Sequence, residues 1–405
     1  MIDSGEDARW RGGLQLKRPR AEGQCTKSGA RWIHQVPYNI ATQIRMHRYF
    51  GARQEKDQTL STLTSRRIDA PDDHAELFTS MYEQGITDGL PVIPPTEQYV
   101  ERMINSVKLP AQQVIAAIPP DSEPATVEKL AICAVMAGCL PEYFPVVIAA
   151  IRALMDQQFN LLAVQATTNP VSPVLVINGP VRKRIGINSG RGCMGSGFRA
   201  NATIGRAVRL ALVNLGGARP GDVSKSIHGM PGRFTFCFGE LEEDSPWDPL
   251  HVDLGYQRDQ STVTVFGGQG TQNFYAGFRK PESIVHMVAD GMACYGNNGY
   301  IMCAGNPLLV LTPGHAKVFA DHGWSKKRVK QALFERTSIP LSQVAEEPCI
   351  SNPHYREWDR SRSIQLCRTA DDIVILVAGG PEAYHITYIP SFGYTALATA
   401  PIEVV

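Results

Sequence analysis

Apolar residues return at helical spacing over residues 72–84, where Leu77, Phe78 and Met81 line one face, and that period predicts an amphipathic helix. Residues 87–96 (TDGLPVIPPT) cannot continue it, because three prolines fix their own φ and push the preceding residues to extended geometry. Thr96 then caps a helix running to about Val107. Two further helices are predicted over 125–137 and 142–157, apolar enough to be buried on more than one side. Beyond them the period changes. Short β-branched and aromatic runs bounded by Gly, Pro or Asn predict strands at 161–167, 174–178, 234–238, 262–266, 308–311 and 373–377. Helical stretches fit between several of these, at 202–215, 282–292, 315–321 and 326–336. The alternation predicts an α/β (or α+β) layered fold: a mixed sheet covered by helices, with a helical N-terminal part. No repeat of fixed period is visible. Residues 71–405 read as a single large unit or as two intimately packed lobes divided near 230–270, where no linker marks a boundary.

Composition narrows the class. The chain has 405 residues, 43% hydrophobic and 20% charged, which excludes a wholly disordered or filamentous protein. Its net charge of +1 gives no general attraction to nucleic acid or to an anionic membrane, and neither is expected as a partner. The longest apolar stretch, 144–155, is interrupted by Arg152 and falls well short of the ~20 residues of a bilayer span. Charge is uneven, however. Residues 1–70 carry 13 Lys/Arg against 7 Asp/Glu, leaving a net of −5 for the remainder. With no sustained apolar period, they are expected to form a poorly ordered basic leader. Asp3, Glu6 and Asp7 argue against an organelle transit segment there. Nine cysteines, none in a Cys-x-x-Cys pair, fit free thiols in a cytoplasmic protein better than a disulfide framework or a zinc ribbon.

Three segments carry candidate chemistry. In 188–206 (NSGRGCMGSGFRANATIGR) four glycines open onto a helix, an arrangement that brings backbone N–H groups around one anion. Ser189, Gly190, Gly195, Gly197, Arg199 and Asn201 are the candidate substrate contacts, and a tight structural turn is the alternative. Neither a dinucleotide fingerprint nor a Walker loop is present, so no nucleotide cofactor is implied. Thr168 and Asn169, in 165–170 (QATTNP), follow a predicted strand, where α/β folds place ligand contacts. In 233–251, period-two alternation turns Cys237 away from Phe234, Phe236 and Phe238. Glu240 lies past the strand end, and His251 returns after a Pro-Trp-Asp-Pro turn. Cys237, Glu240 and His251 together suit an activated nucleophile, or a metal site with Cys237 and His251 as ligands, or a satisfied core cysteine with a turn histidine. Weaker candidates are Gly379-Gly380 after a strand with His385 nearby, Cys193 inside the glycine-rich loop, Asp88 in the proline-rich turn as an acid/base group or an Asx-turn, and the turn at 295–300.

The segments 87–96 (TDGLPVIPPT), 165–170 (QATTNP), 199–206 (RANATIGR), 236–238 (FCF) with 246–251 (PWDPLH), and 321–326 (DHGWSK) resemble a poorly characterised bacterial family. Its members are sometimes labelled thiol–disulfide oxidoreductase-like and are related to proteins named for a selenocysteine-Gly-Ser-Cys motif. The resemblance runs from about residue 72 to the C-terminus, and it implies functional weight for Cys237 and His251 over Cys193. The selenocysteine motif has no counterpart here, so a two-thiol redox mechanism is not implied. These features lead to the expectation of an enzyme acting on a small anionic metabolite, with Cys237, His251 and Glu240 as its catalytic group. A metal-dependent lyase or hydrolase and a non-catalytic ligand-binding protein are the alternatives. The substrate, any metal ion and a homo-oligomeric state stay open.

Overall fold

The computed structural model of the chain describes residues 63–294, 296–302, 304–344 and 359–403, together with the backbone of residues 42–45. Eight strands build its two main sheets: β1 (Ser172–Asn178), β2 (Cys237–Gly239), β3 (Thr262–Gly268), β4 (Gln272–Tyr275), β5 (Leu308–Leu311), β6 (Val374–Val377), β7 (His385–Ile389) and β8 (Ala398–Pro401). The longer helices are α1 (His74–Glu83), α2 (Glu97–Ile104), α3 (Val127–Ala137), α4 (Phe144–Leu154), α5 (Arg199–Asn214), α6 (Pro281–Met292), α7 (Pro313–Asp321) and α8 (Lys326–Arg336).

Alternation along the strands decides how these pieces stack. In the first sheet Leu175, Ile177, Cys237, Val263 and Val265 face a core shared with α3, α4 and α5. In the second, Leu309, Leu311, Ile375, Ile386 and Tyr388 face a core shared with α6, α7 and α8. The residues between them in sequence point the other way and meet one another. Val174, Val176, Phe236, Phe238 and Phe266 pack against Leu308, Val310, Val374, Leu376 and Ile389. Every buried strand thus has two apolar faces, and the result is a four-layer stack of helices, sheet, sheet and helices. The mixed sheets and covering helices agree with the fold class read from the sequence.

The two sheets are copies of one plan. Their strand orders are β8-β3-β1-β2 and β4-β7-β5-β6. In each half the first strand runs parallel to the second and antiparallel to the third (β1 with β2 and β3, β5 with β6 and β7). The fourth strand of each half then leaves its own sheet. β4 pairs with β7, and β8 pairs with β3. The two crossing connections touch at an antiparallel bridge between Gly268 and Ser391. Reciprocal hydrogen bonds flank it, Gln269 N–H to Pro390 O at 2.9 Å and Phe392 N–H to Gly267 O at 2.8 Å. A pseudo-two-fold axis therefore passes through this bridge. Gly268 is required there, since a Cβ would stand 2.6 Å from Val174 Cγ2 and 2.9 Å from Ile389 Cγ2.

Some sequence expectations need correction. Residues 161–167 form not a strand but a short helix, Leu161–Ala166, whose Asn160 side chain accepts from Ala163 N. A brief apolar run carries no period that separates the two states, and the cap decided. The predicted strand 234–238 contributes only Cys237–Gly239 to the ladder, because Pro231–Arg233 forms a helical turn and leaves Phe234 exposed. Of the expected leader, residues 1–41 and 46–62 lie outside the described residues, but its end is built into the fold. Arg66–Asp69 pairs in parallel with Thr42–Arg45. Leu63 and Ser65 are buried, and the Thr64 and Ser65 amides donate to the buried Glu128 carboxylate at 3.1 and 2.9 Å. The packed chain therefore begins before Pro71. Among the described residues no single helix is long and apolar enough to cross a membrane.

Candidate functional site

Cys237 lies in the core between the first sheet and α5, with its Cβ 3.3 Å from where a Cβ on Gly205 would stand. Burial, reinforced by the neighbouring Cys139, pushes its thiol far above the usual range. Three residues on, alternation continues, since Glu240 N still donates to Ile177 O at 3.2 Å. Glu240 therefore shares the face of Phe236 and Phe238, opposite to Cys237. Its Oε2 accepts from Asn178 Nδ2 at 2.7 Å and from Leu250 N at 2.8 Å. His251 is buried near Glu242 (Nδ1 to Oε1, 3.9 Å) and the Arg258 carbonyl (Nε2, 3.4 Å), and burial lowers its pKa. The expected catalytic group is thus divided between the two faces of the sheet. A thiol enclosed by apolar side chains is held protonated, and among the described residues no imidazole acts on it. Among the described residues no three His, Cys, Asp or Glu side chains are grouped to hold a metal ion.

The glycine-rich loop is tied down by its own polar groups. Asn201, in the first turn of α5, accepts from Asn188 N at 2.9 Å through Oδ1. Its Nδ2 donates to the carbonyls of Asn188 and Cys193 at 2.9 and 3.0 Å. Gly190 N donates to Asn188 Oδ1 and Gly195 N to Gly192 O, while Ser189 O accepts from Gly379 N across to the second sheet. Gly197 sits at φ +109°, a conformation that favours glycine. Arg199 turns its guanidinium onto Gly138 O, with Nε and Nη2 at 3.1 and 3.0 Å, and so closes the end of α3. Burial raises Cys193 to about 11. Beside this loop, Arg191, Gly380 and His385 line a 470 Å³ recess, but Arg191 is already ion-paired with Glu382. Of the alternatives for this segment, the structural turn describes these contacts better than an anion cradle.

A larger cavity, of about 980 Å³, lies elsewhere, between the end of α1, the flank of α5 and the segment 219–234. Arg209, one helical turn beyond Arg206, faces it from α5, and Arg233 enters from the Pro231–Arg233 turn. Arg209 Nη2 donates to Ala218 O at 3.2 Å. Arg233 donates to Val171 O at 3.0 Å and to Ser224 Oγ at 2.6 Å. No carboxylate stands within ion-pair distance of either guanidinium among the described residues. Asp88, whose charge Arg209 feels, is engaged bidentately by Arg206 at 2.8 Å from both nitrogens. Burial, and then the like charge of Arg233, lower Arg209 to about 10, and burial lowers Arg233. Two cations sharing a poorly solvated wall repel, and a negative group between them removes that penalty. Glu83 at the mouth is exposed and does not do so.

Of the expected substrate contacts, Thr168 and Asn169 come nearest to this cavity without lining it. Thr168 O accepts from Ile227 N at 3.0 Å, and Asn169 braces the same turn by donating to Gln269 Oε1 at 3.1 Å. They position the wall of the cavity rather than face a ligand. Asp88 is the one residue singled out from the sequence that lines it. Arg209 and Arg233 were missed because they lie 24 positions apart. Their one local signal was an arginine flanked by Val208 and Leu210 inside a helix with a buried stripe. The chain matches no protein-family profile and no curated protein.

Proposed function

We propose that the protein binds a small organic anion, a carboxylate or phosphate, in the cavity lined by Arg209 and Arg233. One observation carries this reading: two guanidinium groups face the same cavity with no acidic partner of their own among the described residues. Guanidinium donors suit planar and tetrahedral oxyanions, and the Ser224 hydroxyl that accepts from Arg233 keeps its own proton to donate. Thiol chemistry at Cys237 gains no support from this geometry, so the binding reading is preferred to the thiol-enzyme one. The test is calorimetric titration of the full chain with inorganic phosphate and with citrate at low salt. Saturable binding that weakens at least tenfold in Arg209→Met is expected, since a charged hydrogen bond contributes about 1.5–3 kcal/mol. Absence of binding at millimolar concentrations, or equal affinity in Arg209→Met and Arg233→Met, would overturn the reading.

A further inference from the structure

Resting on that reading, we infer that the ligand is amphiphilic: its anionic head carries an aromatic or short acyl group. The cavity is far larger than a phosphate or acetate ion and falls in the range of pockets that enclose ligands of many atoms. Much of its wall is apolar. Val213 follows Arg209 by one turn on α5, and Met230 and Pro231 lead into the turn that carries Arg233. Around the mouth stand three large apolar side chains that the fold leaves in water: Tyr82 is 60% exposed, Ile227 72% and Phe234 45%. Phe234 adjoins Arg233 in the chain, so a ligand headed by the guanidinium groups has an aromatic surface within reach of its next atoms. Apolar residues gathered on the rim of a cationic cavity are favourably covered by a ligand that brings its own apolar surface.

The segment 219–234 supplies most of this rim and is fastened from behind. Ile227 N donates to Thr168 O, Ser224 N to Arg219 O, and Gly221 N to Ser224 O, which holds the rim in place without filling the cavity. The rim is therefore preformed, and an apolar group gains its contact without ordering a loop.

The test is titration of the full chain with phenyl phosphate, inorganic phosphate and benzyl alcohol. Covering about 60 Å² of apolar surface corresponds to roughly a tenfold gain. Phenyl phosphate should bind at least about tenfold more tightly than phosphate, and benzyl alcohol alone should bind far more weakly. Ile227→Ser and Phe234→Ser, at exposed positions, should reduce the advantage of phenyl phosphate and leave phosphate unaffected, whereas Arg209→Met should weaken both. If phosphate binds and phenyl phosphate binds no better, the inference fails while the anion reading stands. If neither binds, the anion reading itself fails and the inference with it. If Ile227→Ser and Phe234→Ser change the sedimentation coefficient rather than the affinity, the rim is a contact between copies of the chain and the inference fails.

Discussion

Glu240 has one carboxylate oxygen bonded to Asn178 and Leu250 and the other without a partner among the described residues, with no part of the residue exposed. Burial raises its pKa to about 7, against the pull of the Lys326 cation. Between about 4.5 and 7 the folded protein therefore holds a proton that the unfolded chain releases, so this residue's contribution to stability falls as pH rises through that window. His251 acts in the opposite sense, because its lowered pKa removes stability as pH falls below its ordinary value. The difference between Glu240→Gln and the parent isolates the carboxylate. The variant should gain on the parent by about 3 kcal/mol between pH 4.5 and 8, measured by urea unfolding; a constant difference would refute the assignment. Cys237 gives a second expectation at this scale. Iodoacetamide on the folded protein should label the exposed Cys294 and leave Cys237 unmodified, as peptide mass mapping would show. The alternation that turned Cys237 from the phenylalanines was legible in the sequence. The same alternation also set Glu240 on the phenylalanine face, and a chain read for proximity along itself misses that separation.

Helix α5 binds the molecule's parts through residues whose roles only neighbouring elements define. Arg206 holds Asp88 with two hydrogen bonds and also donates to the Leu90 and Pro91 carbonyls, so the proline-rich segment 87–96 is anchored to a helix more than a hundred residues away. Asp88 is almost fully buried, and Arg206→Met would leave its charge unpaired. That substitution should destabilise by about 3–5 kcal/mol in equilibrium unfolding, while Arg206→Lys should recover only part of the loss. Immediately before Arg206, Gly205 lets α5 approach β2. An added Cβ would stand 3.0 Å from Phe236 N and meet Thr235 Oγ1 closer still, so Gly205→Ala should lose about 1–3 kcal/mol despite its better helix propensity. The helix and its Gly-Arg pair were visible in the sequence, as was the extended geometry of 87–96. Their union was not, because a salt bridge between distant segments leaves no periodic trace.

At the scale of the whole molecule, the duplicated plan escaped the sequence because packing conserves which face a residue serves rather than which residue serves it. Val174 and Val176 occupy in the first sheet the inward places that Leu308 and Val310 occupy in the second, and Phe238 corresponds to Leu376. The exchanged fourth strands hide the plan further, since each half finishes in the other's sheet. The beginning of the packed chain was misplaced for a related reason: 63–69 has no apolar period of its own, and its contribution lies in backbone amides. Glu128 is buried, which by itself raises its pKa, yet hydrogen bonds from Ser65, Thr64 and Gln112 outweigh that and hold it below the usual carboxylate value. A carboxylate with a depressed pKa stabilises the fold above its unfolded pKa, and the contribution is lost as pH falls through the folded one. A shortened chain starting at Pro71 loses two of those donors and the buried Leu63 side chain. At pH 7 it should be less stable by about 3 kcal/mol or more than a chain starting at Leu63, combining charged hydrogen bonds with apolar burial. The gap should narrow as pH falls below the ordinary carboxylate value and Glu128 takes up a proton in the folded state as well. Glu128→Gln in the shortened chain should restore part of the loss at pH 7, because the amide no longer leaves a buried charge short of donors. Urea unfolding of both chains at pH 7 and pH 4 decides it. Equal stability at pH 7 would show that the amides of 64 and 65 are dispensable and that the fold begins at Pro71 after all.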